Sequence, residues 1–244
     1  MYNMKNNKNA KIAGTYSELL SSSDLVNNPA TRVPVCLCLD VSGSMHGKPI
    51  EELNEGVRRF YQAIREDDIA LYAAEISIVT FGGDEPGCIR AFSGLEQQPT
   101  PPALRAFGRT PLAEAVNMSL DLLEKRKAEY RAAGVDYYQP WLVLMTDGVP
   151  TSEAADVTAA AERTAGMVEQ RKLTVIPMGV GDNADMGTLA RFSPKYKPLK
   201  LQNMDFCEFF EWLGQSVSAV SQSMPGEAFE LDWEALTVKN WAEL

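Results

Sequence analysis

Apolar residues gather along this chain in short dense runs, separated by longer stretches in which they recur every third or fourth position. The first run is Val33-Pro34-Val35-Cys36-Leu37-Cys38-Leu39, continuous and rich in small and β-branched residues, and it predicts a buried strand. Behind it, Gly47-Lys48-Pro49 opens a helix whose Ile50, Leu53, Val57, Phe60, Tyr61 and Ile64 share one face, and Asp67-Asp68 is expected to end it. Glu75 to Phe81 reads as a second strand. The turn Gly82-Gly83-Asp84-Glu85-Pro86-Gly87 then returns into a short antiparallel partner, Cys88 to Phe92. A Pro-rich loop over 94–109 leads to Thr110-Pro111, read as an N-cap and first-turn proline of a helix that buries Leu112, Val116, Leu120 and Leu123 and stops at Gly134.

Trp141 to Met145 is a second fully apolar run, and Leu173 to Val180 a third. Helices are expected at about 153–171, 185–192 and 205–222, with a weak strand at about 198–201; the last helix turns Phe206, Phe209, Phe210, Leu213 and Val217 inward. Alternation of this kind calls for a doubly wound, Rossmann-like α/β fold. Its sheet is mostly parallel with one short antiparallel edge strand, and helices cover both faces. The domain is expected over 31–223, between a flexible N-terminal arm at 1–30, rich in Asn, Ser and Lys, and an acidic tail at 224–244.

Charge narrows the partners. The 244 residues carry a net charge of −10 and an isoelectric point near 4.7, which disfavours nucleic acid and anionic membranes. Residues 205–244 hold eight acids against Lys239, so the acidity concentrates at that end. The four cysteines, Cys36, Cys38, Cys88 and Cys207, show no metal-ligand spacing, and Cys36 and Cys38 fall on one face of a strand as small core residues. With no apolar leader and no run of about 18 apolar residues, the expected location is the cytoplasm, with reduced thiols.

The chemistry sits where strands end. Asp40, Ser42 and Ser44 follow the first strand at alternate positions, so one tight turn aims three oxygens at a common point, and Gly43 relieves the backbone there. The run at 141–145 likewise ends in Thr146-Asp147-Gly148, and Thr110 starts a helix at the same edge. Ligands of open α/β sheets bind outside the carboxyl ends of the strands. Carboxylate and hydroxyl oxygens suit a hard cation, Mg2+ with Mn2+ or Ca2+ as substitutes, better than zinc.

Taken in order, Asp40-Val41-Ser42-Gly43-Ser44, Thr110 in Gly108-Arg109-Thr110-Pro111, and Asp147 in Thr146-Asp147-Gly148 resemble the metal-ion-dependent adhesion site of von Willebrand factor A domains, over about residues 33–222. The resemblance implies that Asp40, Ser42, Ser44, Thr110 and Asp147 hold the cation, partly through water. It also implies that a partner protein offers an Asp or Glu to an open coordination position. Val-Pro-Val-x-Leu-x-Leu-Asp-Val-Ser-Gly-Ser-Met at 33–45, Gly-Arg-Thr-Pro-Leu at 108–112, Met-Thr-Asp-Gly-x-Pro-Thr at 145–151 and Gly-Val-Gly-Asp-x-Ala-Asp-Met at 179–186 resemble the bacterial TerY-type branch. Those proteins are associated with tellurium resistance and stress response, where they resemble interaction components linked with a kinase and a phosphatase.

Competing readings are an Mg-dependent phosphatase and an adaptor subunit of an ATP-driven machine. Haloacid-dehalogenase-type phosphatases resemble Asp-x-Asp at the first strand end, whereas the second position here is Ser42, and neither a P-loop nor a Gly-x-Ser-x-Gly elbow occurs. The expectation is therefore a protein that is not an enzyme. His46, the single histidine, reads as an exposed loop residue at the rim, and Asp182 and Asp185 as turn and cap residues. Trp233 and Trp241 in the tail either pack back on the domain or serve a partner.

Overall fold

A computed structural model describes Leu25, residues 28–201, 205–224 and 230–232, and the strand at 242–243. Most of the arm read at 1–30, and Trp233 and Trp241, therefore lie outside the described residues.

Chain order runs β1 (Val33–Asp40), α1 (Lys48–Arg65), α2 (Asp68–Ala73), β2 (Ala74–Phe81), β3 (Gly87–Gly94), α3 (Leu112–Ala133), β4 (Trp141–Thr146), α4 (Ala154–Glu169), β5 (Thr174–Val180), α5 (Met186–Ala190), β6 (Leu199–Leu201), α6 (Phe206–Ser221) and β7 (Ala242–Glu243). The sheet order is β3-β2-β1-β4-β5-β6-β7. β1 pairs in parallel with β2 on one side and β4 on the other, so the winding reverses at β1. That reversal opens a crevice at the carboxyl ends of β1 and β4, where connections leave in opposite directions.

All eight residues of β1 are buried, as expected of a central strand covered on both faces. Val33, Val35, Leu37 and Leu39 face a core shared with α1, α2 and α6; Cys36 and Cys38 face a second core with Leu112, Val116, Leu120 and Leu123 of α3 and Val157 of α4. Helices α1 and α6 approach closely because Gly56 and Gly214 lack side chains: a Cβ at Gly56 would lie 2.6 Å from the Phe210 ring, and one at Gly214 2.6 Å from the Ala63 Cβ. From the tail, Leu231 joins the first core.

Three expectations change. Asp67 does not merely end α1: its carboxylate accepts from the N–H groups of Ile69 (2.9 Å) and Ala70 (3.0 Å), so it caps α2, a helix the sequence reading missed. Thr110 is not the cap of α3, which begins at Leu112; Ser152 instead accepts from the Ala113 N–H at 3.1 Å, supplying the cap from another loop. Both sheet edges are antiparallel. β3 spans eight residues, longer than expected, and β7 adds Ala242 and Glu243 against Leu201 and Lys200.

At the amino end of the sheet, Glu75 is 1% exposed and gathers two cations. Arg32 Nε donates to it at 3.1 Å, Arg126 Nε at 2.6 Å and the Tyr130 hydroxyl at 2.7 Å, while Arg126 Nη1 also reaches Glu129 at 2.7 Å. Burial, then the Glu75 charge, push the Tyr130 hydroxyl well above its ordinary pKa. Removing Glu75 would take the carboxylate from the buried Arg32 guanidinium and one of its carboxylates from Arg126, so Glu75→Ala should cost about 3–5 kcal/mol in urea unfolding. A loss under about 1 kcal/mol, the range of exposed pairs, would contradict this account of the network.

Candidate metal centre

β1 delivers Asp40 to the crevice with 1% of its surface exposed, and the chain then turns through a 3-10 segment at Gly43–Met45. Asp40 Oδ1 accepts the Ser42 N–H at 2.8 Å, which folds the turn back on the strand end. Its other oxygen, Oδ2, accepts the Thr146 hydroxyl at 2.5 Å, joining the ends of β1 and β4. The Ser42 and Ser44 hydroxyls lie 3.0 Å apart, and the Ser44 hydroxyl donates to Asp147 Oδ1 at 2.8 Å. Four of the five residues singled out in the sequence therefore belong to one connected group.

Thr110 comes in on a third loop. Its N–H donates to the Thr151 hydroxyl (3.1 Å), and its carbonyl accepts from the N–H groups of Thr151 (2.9 Å) and Leu112 (2.8 Å). The Gly108 carbonyl accepts from the Gly43 N–H at 3.0 Å, tying that loop to the serine turn. Close backbone contact makes this possible. A Cβ at Gly108, where φ is +70°, would lie 2.2 Å from the Gly83 Cα, so only glycine fits there. Asn54 of α1 holds the other end of the loop, donating to the Leu104 carbonyl at 3.0 Å and accepting the Leu104 N–H at 2.8 Å. Thr110 is 7% exposed, between the Asp40 and Asp147 loops.

Thr146, Thr151, Ser152 and Asn54 were not foreseen as supports. Thr146 stood beside Asp147 in the sequence, but the partners of the other three are remote. His46 is exposed, as its position suggested. Asp185 caps α5, accepting from the Thr188 N–H at 2.9 Å, and Asp182 pairs with Lys200 at 2.7 Å.

Electrostatics favour a cation. Burial pushes the Asp40 carboxyl up to about 6 from its ordinary 3.8; the Thr146 and Ser42 hydrogen bonds pull down, and the Asp147 charge adds to the rise. Burial also raises Asp147, opposed by the Ser44 hydrogen bond. Among the described residues neither carboxylate forms an ion pair with a basic side chain, and no group of three or more His, Cys, Asp and Glu gathers to hold a metal. The donor set is two acids and three hydroxyls, hard oxygens throughout, and it fits Mg2+ and its hard relatives.

The family model for the von Willebrand factor type A domain matches residues 35–206. A von Willebrand factor type A protein from Catenulispora acidiphila superposes with a TM-score of 0.61 at 16% identity, over 77% of this chain and 43% of that one. The von Willebrand factor domain of the type V pilus tip protein Mfa5 from Porphyromonas gingivalis gives 0.58 at 12% identity, over 82% and 99%. Proximal thread matrix protein 1 from the mussel byssus, solved with zinc in its metal-ion-dependent adhesion site, gives 0.54 at 16% identity, over 78% and 48%. The chain thus spans less than half of the Catenulispora and mussel proteins. No curated protein matches it in sequence.

The Asp40 pKa carries a stability consequence. A folded value of about 6 above an unfolded 3.8 means that the contribution is full below about pH 4 and is lost as pH rises through 6. In EDTA, the stability of wild type relative to Asp40→Asn should therefore fall by roughly 3 kcal/mol between about pH 4 and about pH 7, measured by urea unfolding. A difference that is flat with pH would show that Asp40 is not held in a desolvated site.

Proposed function

Because the chain belongs to the von Willebrand factor type A domain family, we propose that it is a metal-dependent docking module whose site takes a divalent cation and, through it, an acidic side chain of a partner protein. Asp40, Ser42, Ser44, Thr110 and Asp147 would hold the ion, with Mg2+ as the resident metal and Mn2+ or Ca2+ as substitutes. The observation that carries this reading is the buried Asp40 and the half-buried Asp147, joined through Ser42 and Ser44 and lacking a basic partner among the described residues. A bound cation supplies the charge those carboxylates lack and a Lewis-acidic position for one carboxylate oxygen from outside.

The protein's own residues set the strength of that position. Ser42, Ser44 and Thr110 are neutral ligands, so within this set only Asp40 and Asp147 would offset the cation's charge. Thr146 and the Ser42 N–H fix the Asp40 oxygens in place, which spares the site reorganisation on binding. We read the module as an interaction component of the TerY type, acting in the cytoplasm with a kinase or phosphatase encoded beside it. The stretches at 33–45, 108–112, 145–151 and 179–186 support that branch, and four free cysteines suit a reducing compartment. Among the described residues no helix is long and apolar enough to cross a membrane. We assign no catalytic role. The Ser44 hydroxyl donates to Asp147 and lies against Ser42, and we read these groups as ligands of the cation rather than as an acid–base pair.

Calorimetric titration with Mg2+ and Mn2+ tests the assignment. Wild type should bind one ion, Asp40→Ala and Asp147→Ala should lose at least about tenfold in affinity while keeping their fold, and added acetate should tighten binding in wild type alone. Unchanged affinity in Asp40→Ala would overturn the metal assignment.

A further inference from the structure

We propose that the partner presents its acid beside an aliphatic or aromatic side chain, and that this neighbour docks on Phe107 and Val149 at the rim of the site. The inference rests on the docking reading above and adds what would make it selective. Six large hydrophobics are strongly exposed among the described residues: Ile69, Tyr72, Ile89, Phe107, Val149 and Met224. Isolated exposed apolar residues are ordinary. Two of these, however, sit on the two loops that carry Thr110 and Asp147.

Phe107 is held rather than loose. Its N–H donates at 2.8 Å to the carbonyl of Val41, the residue between Asp40 and Ser42. Its ring lies over Gly83, where a Cβ would come within 2.7 Å of the ring. One face therefore rests on backbone while 58% of the residue stays exposed. A fixed aromatic platform loses little entropy on binding. Val149 is 65% exposed and lies two residues past Asp147, on the loop whose Thr151 exchanges hydrogen bonds with Thr110. These hydrogen bonds tie the two loops together.

Charge complements this surface. Arg109 is exposed next to Thr110, a cation at the rim of a protein whose net charge is −10, and it favours an approaching acid. A cation alone accepts any carboxylate, so discrimination must come from what lies alongside. The occupant is accordingly a segment of a partner protein with Asp or Glu adjacent to an apolar residue, rather than a small free carboxylate.

Selection of phage-displayed random heptapeptides on the full chain in Mg2+, with elution by EDTA, tests this directly. Wild type should enrich Asp or Glu flanked by Leu, Ile, Phe or Tyr. The double variant Phe107→Ser/Val149→Ser should bind Mg2+ like wild type and still require the acid, but lose the apolar preference and bind a wild-type-selected peptide about tenfold more weakly. Single variants at each position separate the two contacts. Acidic peptides without an apolar neighbour, or an unchanged motif in the double variant, would overturn the inference and leave the docking reading standing. No EDTA-dependent enrichment, in a protein shown by calorimetry to bind Mg2+, would overturn both.

Discussion

A carboxylate at the end of a strand buried on both faces is the constraint around which this protein is arranged. β1 must be apolar because helices cover both sides of it, yet its last residue is Asp40, 1% exposed and withdrawn from bulk water. Hydrogen bonds from Thr146 and the Ser42 N–H are what the fold offers in place of that water. They do not cancel a charge, and the carboxyl accordingly rises to about 6. The serine turn, the Gly83–Gly108 contact that admits a third loop, and the Ser152 cap borrowed across loops gather the other loops of this edge around that acid.

The two ends of the sheet solve the same problem differently. Glu75, at the amino end of β2, is as buried as Asp40, but Arg32 and Arg126 bring their charge to it and Tyr130 adds a hydrogen bond. That end is closed, and its network fixes β2 against α3. At the carboxyl end the acids accept from hydroxyls and from the Ser42 N–H, neutral groups that hold geometry without neutralising. One buried acid is answered by the protein itself; the other is left for something from outside. This contrast, within one sheet, is the strongest physical reason to regard the carboxyl end as a binding site rather than a structural network.

Much of this was legible in the sequence. The continuous apolar runs gave β1, β4 and β5, and the three- and four-residue spacing gave α1, α3, α4 and α6, because burial on one or both faces writes itself into periodicity. The serine turn was legible because its residues are contiguous. What periodicity could not carry was distance. Glu75 meets partners 43 and 51 residues away, and α3 takes its cap from a serine 39 residues beyond. Thr110-Pro111 looked like a cap because a local pattern was the nearest explanation. Asp67 could end one helix or begin another, and it begins α2. The two-residue β7 is too short to leave a pattern at all.

The central claim is that the oxygens at the ends of β1 and β4 share one cation. Crystals grown with Mn2+ and measured at its absorption edge test it most directly. The account predicts a single anomalous peak within coordinating distance of the Ser42 and Ser44 hydroxyls, on the Asp147 side of the crevice. A peak elsewhere on the molecule, or none at saturating Mn2+, would contradict it.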